Sequence, residues 1–175
     1  ILDLSKTLMY DFYYNRLKDK YGDQIRLMYT DTDSLLIVVY TDDIYEDIQS
    51  HGQHYDFSNY PTDHPLYNPT NKKVIGKFKD EFGGKVIQEA VCVRPKMYSI
   101  LADDNNITLK KAKGVTKSVT DKKLKHQHYY DCIFKNKSKT ETMTHIRSEN
   151  HILYTISQNK LSLSPLDTKR YILPD

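Results

Sequence analysis

The chain has 175 residues, a net charge of +3, 38% hydrophobic residues and only two cysteines, Cys92 and Cys132. This length can bury one core or two small ones, and two isolated cysteines exclude a disulfide framework and a cysteine-rich zinc site. The longest apolar run, residues 35–40, is far too short to span a membrane.

The first predicted element is a helix that precedes a strand. Its apolar residues recur at helical spacing, at Ile1, Leu4, Leu8, Phe12 and Leu17. Gly22 follows where a glycine commonly ends a helix. The pattern predicts that this helix leads directly into the next element.

The next predicted element is a β-hairpin whose tip has the sequence Tyr29-Thr30-Asp31-Thr32-Asp33-Ser34 and lies between two apolar runs. Because strand side chains alternate, the two-residue spacing predicts that Asp31 and Asp33 emerge on the same side. Such a pair suits Mg²⁺, which takes carboxylate oxygens and completes its shell with water and substrate phosphates. Asp and Thr are also ordinary turn formers, so the tip alone could serve only to fold the backbone.

A short helix over residues 42–49 is predicted after the hairpin, capped by Thr41 or Asp42, with Ile44 and Ile48 on its inner face. Residues 51–73 show no sustained period and predict a long surface connection. Three histidines in this region, His51, His54 and His64, have acidic neighbours, but their irregular spacing favours plain surface residues over a second metal site.

Strands are predicted again over residues 74–82 and 86–93, and then over residues 96–101. The turn sequence at residues 103–106 predicts that residues 96–101 and 107–111 pair as a hairpin. Strand alternation would place Lys96 and Tyr98 on one face, where a lysine can contact a phosphate while the ring packs on a sugar or base. A cross-strand Lys–Tyr pair on a solvated sheet is the alternative.

Residues 72–139 are strongly basic, with 17 lysines and arginines against 7 acidic residues. Seven lysines fall within residues 110–125, at Lys110, Lys111, Lys113, Lys117, Lys122, Lys123 and Lys125. We expect a basic helix from Thr120 to Phe134, followed by strands over residues 139–157. Residues 27–71, by contrast, contain eight acidic residues and no lysine or arginine. An acidic region followed by a basic one is typical of an enzyme that holds cations and contacts a phosphate backbone, although charge runs are usually solvated faces.

The YTDTDS hairpin resembles the third palm motif of family B DNA polymerases. The opening helix, the Lys96-Met97-Tyr98 sequence (KxY) and the segment KKAKGV that begins at Lys110 follow in the family's order. The resemblance is closest to the protein-primed branch found in self-synthesising DNA transposons and related viruses. The other two palm motifs are not found, so the resemblance implies that their metal-binding Asp and nucleotide-binding Lys lie upstream of Ile1 in a longer chain.

The resemblance implies an α+β fold: the C-terminal half of a palm over residues 1–109, built of antiparallel hairpins packed on helices, and a small basic thumb over residues 110–175. It implies two-metal deoxynucleotidyl transfer with two Mg²⁺ ions, deoxynucleoside triphosphates, primer-template DNA and a possible terminal protein primer. The expected location is intracellular, in the nucleus or at a viral replication site, without a membrane partner. This segment alone is expected to be inactive.

The resemblance also implies roles for individual residues. Asp33 would bind both ions, with Asp31 as a supporting carboxylate. The hairpin-shaping residues would be Tyr29, Thr32 and Ser34, and the residues that contact primer and DNA would be Lys96, Tyr98, Lys110, Lys111 and Lys113.

Two other interpretations remain open. The chain could be a non-catalytic remnant that acts only as a basic DNA-binding module, or an Asp-rich hairpin that binds Ca²⁺. The calcium interpretation is weakened because the spaced ligand loop with its terminal Glu is absent from the sequence.

Overall fold

The computed structural model describes residues 1–103 and 107–166, which form a mixed α+β structure with small antiparallel sheets. The chain divides into two compact units, Ile1–Val86 and Ile87–Asp175. The division lies between residues 86 and 87, whereas the predicted palm–thumb boundary at residues 109 and 110 falls inside a strand. The palm and thumb assignments stay a prediction. Residues 104–106 of the predicted turn lie outside the described residues.

The first unit begins with a helix that changes its pitch. Helix α1 (Leu2–Phe12) continues through a π-helical segment (Tyr13–Leu17) into α2 (Lys18–Tyr21). The π-helical segment accounts for the burial of Phe12 and Leu17, because a five-residue repeat places both on one face. Ile1, Leu4 and Leu8, which share the predicted apolar spacing, are exposed. As predicted, Gly22 caps the helix, with φ of 53°.

Two strands follow, β1 (Ile25–Asp31) and β2 (Ser34–Val39), and they form the predicted antiparallel hairpin. The register shifts between Leu27 and Tyr29, so β1 carries a bulge shortly before the tip.

Helix α3 (Ile44–Gln49) is capped by Asp43 rather than by Thr41 or Asp42. The Asp43 Oδ1 atom accepts hydrogen bonds from the backbone N–H groups of Tyr45 and Glu46, at 2.7 and 3.2 Å. Ile48 packs against a small core, but Ile44 is exposed.

The loop after α3 is not merely a surface connection. It contains a 3₁₀ turn (Gly52–His54) and buries Phe57, Tyr60 and Leu66 as a core of their own. A single parallel bridge joins Tyr55 to Phe78, and this bridge is the only strand-like pairing described within residues 74–82.

The second unit is built on a three-stranded sheet in the order β3–β4–β5, followed by two helices and a long hairpin. The elements are β3 (Ile87–Arg94), β4 (Met97–Ala102), β5 (Ile107–Ala112), α4 (Lys117–Lys122), α5 (His126–Phe134), β6 (Lys139–Glu149) and β7 (Ile152–Leu163). The predicted pairing of β4 with β5 is confirmed. The predicted addition of strands after α5 is also confirmed, as the β6–β7 hairpin.

The core of the second unit lies between its sheet, its helices and the end of β7. Its buried residues are Val91, Met97, Leu124, Tyr129, Cys132 and Leu163. The Tyr129 hydroxyl donates to the Lys111 carbonyl oxygen at 3.1 Å, which ties α5 to β5.

The single helix predicted from Thr120 to Phe134 is wrong, because the chain breaks it into α4 and α5. The side chain of Lys110, on β5, donates to the carbonyl oxygens of Asp121 and Leu124, at 2.9 and 2.6 Å. These carbonyls lie at the C-terminal end of α4, where a cation is favourable. Leu124 then turns into the core, 1% exposed. Thr120 lies inside α4, where its hydroxyl donates to the Thr116 carbonyl oxygen.

Within residues 1–103 and 107–166, no helix has both the length and the apolar character needed to cross a membrane.

Candidate active site

The candidate site is the tip of the β1–β2 hairpin. Asp31 is the last residue of β1, Ser34 is the first residue of β2, and Thr32 and Asp33 form the turn between them. The Asp33 N–H donates to the Asp31 carbonyl oxygen at 2.6 Å, and Thr32 between them has φ of 58°. A hydrogen bond across three residues with a positive central φ is the arrangement of a γ-turn, which is rare and strained.

Thr32 is an unusual residue for this conformation. Its branched Cβ makes a positive φ a steric outlier, which costs on the order of 1–3 kcal/mol. Its hydroxyl lies 3.3 Å from Asp31 Oδ1 and donates to it. The Ser34 hydroxyl donates to the Asp31 carbonyl oxygen at 3.2 Å. Three successive residues are therefore bonded to Asp31, and they hold the strained tip in one shape.

The base of the hairpin rests on the first helix. The β2 residues Leu35, Ile37 and Val39 share one face and pack against a buried cluster composed of Phe12, Tyr13, Leu17 and Ile25. Phe12 also stacks on Phe78, with ring centroids 3.7 Å apart. These contacts support the tip, because they fix the two strands that flank the turn.

The two aspartates do not stand in the predicted strand register. Asp31 belongs to β1 and is half-buried, whereas Asp33 lies in the turn and is exposed. Strand alternation therefore cannot be the reason for any common orientation of the two side chains. The tight turn nevertheless keeps the two residues adjacent.

The donor set suits a hard cation only in part. Two carboxylates are what a protein commonly offers to Mg²⁺, with water and phosphate oxygens completing the shell. Within the described residues, no group of three or more His, Cys, Asp or Glu side chains is placed to hold a metal ion. The hairpin could thus supply Asp31 and Asp33 to a site that needs further ligands from elsewhere. Tyr29, half-buried on β1, pairs with Leu36 just after the bulge.

The KxY residues fall on two different elements. Lys96 is not in a strand as predicted, because Pro95 cannot continue the ladder and Lys96 turns the chain with φ of 61°. Its carbonyl oxygen accepts from the Lys113 N–H at 3.0 Å. Tyr98 lies in β4, opposite Cys92 on one side and Lys111 on the other. The prediction that Lys96 lies in a strand is therefore wrong, and strand alternation does not determine on which side its side chain stands relative to Tyr98.

The three lysines predicted to contact DNA differ in how exposed their side chains are. Lys110 is half-buried, and its ammonium group is occupied by the two carbonyl oxygens at the end of α4. Lys111, on β5, and Lys113, in the following turn, are exposed.

The histidines of the acidic region bond to separate partners. The His54 ring lies 2.8 Å from an Arg16 guanidinium nitrogen, and burial together with this cation lowers the pKa of His54. His64 Nδ1 accepts from the Leu66 N–H. The His51 ring bonds to the Ser50 hydroxyl.

A polar network around Asp47 was missed by sequence reasoning. The carboxylate accepts from Lys20 at 2.7 Å, Thr41 at 2.6 Å and Tyr21 at 3.0 Å. The hydrogen bond from Lys20 is the main reason that the pKa of Asp47 is below its ordinary value. The network therefore links α2, which precedes the hairpin in the chain, to α3, which follows it. No spacing in the sequence links these four residues, so only the tertiary fold reveals them.

Comparison with protein-family models, curated proteins and solved structures finds no match to this chain.

Proposed function

We propose that the chain is the C-terminal part of the palm, with a small thumb, of a family B DNA polymerase that transfers deoxynucleotides to a primer 3′ hydroxyl. The observation that carries the proposal is the strained YTDTDS tip, in which Thr32 holds a positive φ beside Asp31 and Asp33. Such strain persists only where the surroundings maintain it, and it clusters at active sites. A turn with only a structural role would be better served by glycine at this position.

The residues of the tip have distinct roles in this proposal. Asp33, exposed in the turn, would offer its carboxylate to both ions, and Asp31 would support the site from the end of β1. Thr32 and Ser34 orient Asp31 through the hydrogen bonds at 3.3 and 3.2 Å. Bound Mg²⁺ would activate the primer hydroxyl and neutralise charge on the triphosphate. The remaining ligand is expected from an aspartate upstream of Ile1.

The DNA contact is assigned to the exposed basic residues. Lys96, Lys111 and Lys113 are exposed and can approach a phosphate backbone, with Tyr98 packing beside them. Lys110 is removed from the predicted set of contacts, because its ammonium group already bonds to two carbonyl oxygens of the protein.

A second candidate function is a basic DNA-binding module without catalysis. The observation in its favour is the number of exposed lysines from the end of β5 to the start of α5, at Lys111, Lys113, Lys117, Lys122, Lys123 and Lys125. This candidate predicts DNA binding that does not depend on Mg²⁺ or on the hairpin carboxylates.

The polymerase proposal includes three partners: primer-template DNA, deoxynucleoside triphosphates and a possible terminal protein. It places the protein in the nucleus or at a viral replication site.

The first experiment reads the gene upstream of the Ile1 codon. The polymerase proposal expects the two remaining palm motifs in the same reading frame, and an upstream frame that lacks both would contradict it.

The second experiment uses the chain extended by those motifs. Asp33→Asn keeps the shape of the side chain but removes its charge, so primer extension should fall by several orders of magnitude while DNA binding persists.

The matched control is Asp42→Asn, since Asp42 is an exposed carboxylate outside the hairpin. Primer extension by this variant should stay within twofold of the unmodified protein. Near-normal turnover by Asp33→Asn would contradict the proposal.

A further inference from the structure

The first unit contains an open cleft in the loop region after α3, with a volume of about 330 Å³. In the described part of the chain, no charged side chain lines it. Its lining is made mainly of aromatic rings and amides, among them Tyr55, Phe57, Tyr67, Gln53, Asn68 and Asn71. Flat rings and neutral hydrogen-bonding groups suit an uncharged planar ligand and would leave a phosphate without a partner inside the cleft.

Local contacts hold the walls of the cleft in place. The rings of Tyr55 and Phe57 are stacked, with centroids 5.9 Å apart and planes 16° apart. The Asn71 side-chain amide donates to the Tyr55 carbonyl oxygen at 2.8 Å. The Thr70 N–H donates to Asn68 Oδ1 at 2.9 Å. A Cβ on Gly52 would lie 3.3 Å from the Phe57 ring, so this glycine permits a close approach. These contacts fix the positions of the residues that line the cleft.

We call Lys72, Lys73 and Lys77 the lysine rim, because each is within two residues of a lining residue of the cleft in sequence or is bonded to one. Residues 27–71 contain no lysine or arginine, and the first two cations after them, Lys72 and Lys73, directly follow Asn71. Both are exposed. The Lys77 ammonium group donates to the carbonyl oxygen of Gln53, another lining residue. The lining residues are uncharged, so these three lysines are the cations nearest to the lining in sequence or by direct bonding, and the ones that a bound anionic group would have to reach.

We propose that this cleft binds a nucleotide, with the base between the aromatic and amide side chains and the phosphate at the lysine rim. Bases stack on aromatic rings, and their edges carry the donors and acceptors that amides complement. The volume is at the lower end of small-ligand pockets, which suits one nucleotide rather than a larger molecule. The proposal is independent of the metal-binding role of the hairpin. It gives the first unit a second site.

The test measures binding to the whole 175-residue chain by NMR titration with three probes: dAMP, deoxyadenosine and deoxyribose 5-phosphate. We expect dAMP to bind most tightly, deoxyadenosine several-fold more weakly, and the sugar phosphate without detectable shifts at the cleft. The double change Lys72→Gln and Lys73→Gln should weaken dAMP but leave deoxyadenosine unchanged.

Tyr67→Ala should weaken dAMP about five- to hundredfold through the loss of stacking, and Tyr67→Phe should restore it. Tyr67 is 37% exposed, so truncation spares the core. Tyr10→Ala removes a ring on α1 that is 61% exposed, as a control, and should change nothing.

Three results would overturn the proposal. One is equal affinity for dAMP and the sugar phosphate, which would mean that the rim binds phosphate alone. Another is full dAMP affinity in Tyr67→Ala. The third is unchanged dAMP affinity in the double variant Lys72→Gln and Lys73→Gln. An inactive polymerase would leave all three measurements unaffected, so the two proposals fail separately.

Discussion

Replacing Lys110 with Ala should destabilise the second unit without greatly changing its affinity for DNA. The ammonium group makes two charge-assisted hydrogen bonds, to the carbonyl oxygens of Asp121 and Leu124 at 2.9 and 2.6 Å. Such bonds contribute about 1.5–3 kcal/mol each when fully buried. Lys110 is only half-buried, so solvent screening reduces the sum, and we expect a loss of about 2 kcal/mol for the pair.

Urea denaturation followed by circular dichroism measures this loss as a lower midpoint at an unchanged slope. The matched variants are Lys111→Ala and Lys113→Ala, whose exposed side chains should change stability by less than about 0.5 kcal/mol. The same proteins then serve for DNA binding at several salt concentrations. Each exposed lysine that contacts a phosphate should reduce the salt slope by about one unit, whereas Lys110→Ala should reduce it far less.

The reasoning would be refuted by a Lys110→Ala protein of normal stability whose salt slope falls as much as that of the Lys111 variant. That result would mean that the ammonium group faces DNA and that the bonds to the end of α4 contribute nothing.

The remaining predictions concern the hairpin and its support. The chain of 175 residues alone should show no nucleotide incorporation on a primed template, because the proposed two-metal site needs more ligands than Asp31 and Asp33 and the described residues place no third one beside them; measurable incorporation would contradict this. In the extended protein, Asp31→Asn should impair primer extension less than Asp33→Asn, and the reverse order would exchange their roles. Thr32→Gly should raise the free energy of unfolding by about 1 kcal/mol in urea titrations, since glycine tolerates the positive φ, while Thr30→Gly in the adjacent strand should lower it. The pKa of Asp47 is lowered on folding, so its stabilisation is present above its ordinary value of 3.8 and is lost as pH falls through the folded pKa; Asp47→Asn should flatten that acid limb of the stability curve.

Local sequence patterns correctly predicted the end of the first helix and the β1–β2 hairpin, because cap and turn residues close to these elements determine them. Gly22 ends the first helix because a positive φ costs glycine little, and the turn-flanked apolar runs around Asp31 and Asp33 pair as expected. The position of Asp33 was predicted less well, because alternation describes strands and the tip is a tight turn. Nothing in the sequence predicted the positive φ of Thr32, since a threonine is not expected in that conformation.

Tertiary contacts explain the elements that the patterns predicted wrongly. The helix over residues 120–134 divides because Lys110, distant in sequence, binds the carbonyls that a continuous helix would use. The loop after α3 lacks a period because its aromatic rings pack against one another rather than along one face. The cap of α3 falls on Asp43, one residue beyond the predicted pair, since Thr41 bonds to Asp47 instead.

The β6–β7 hairpin has a consequence for how the second unit folds. Asn150 and His151 both have positive φ at its two-residue turn, a combination that matches the twist of paired strands. Pairing can therefore start at the turn and proceed residue by residue, on a timescale of about 1–10 μs. At the far end of the ribbon, Leu163 belongs to the core of the second unit, and Met143 is buried. The ribbon can thus assemble before the core that it completes, and docking of its buried end sets the slower step.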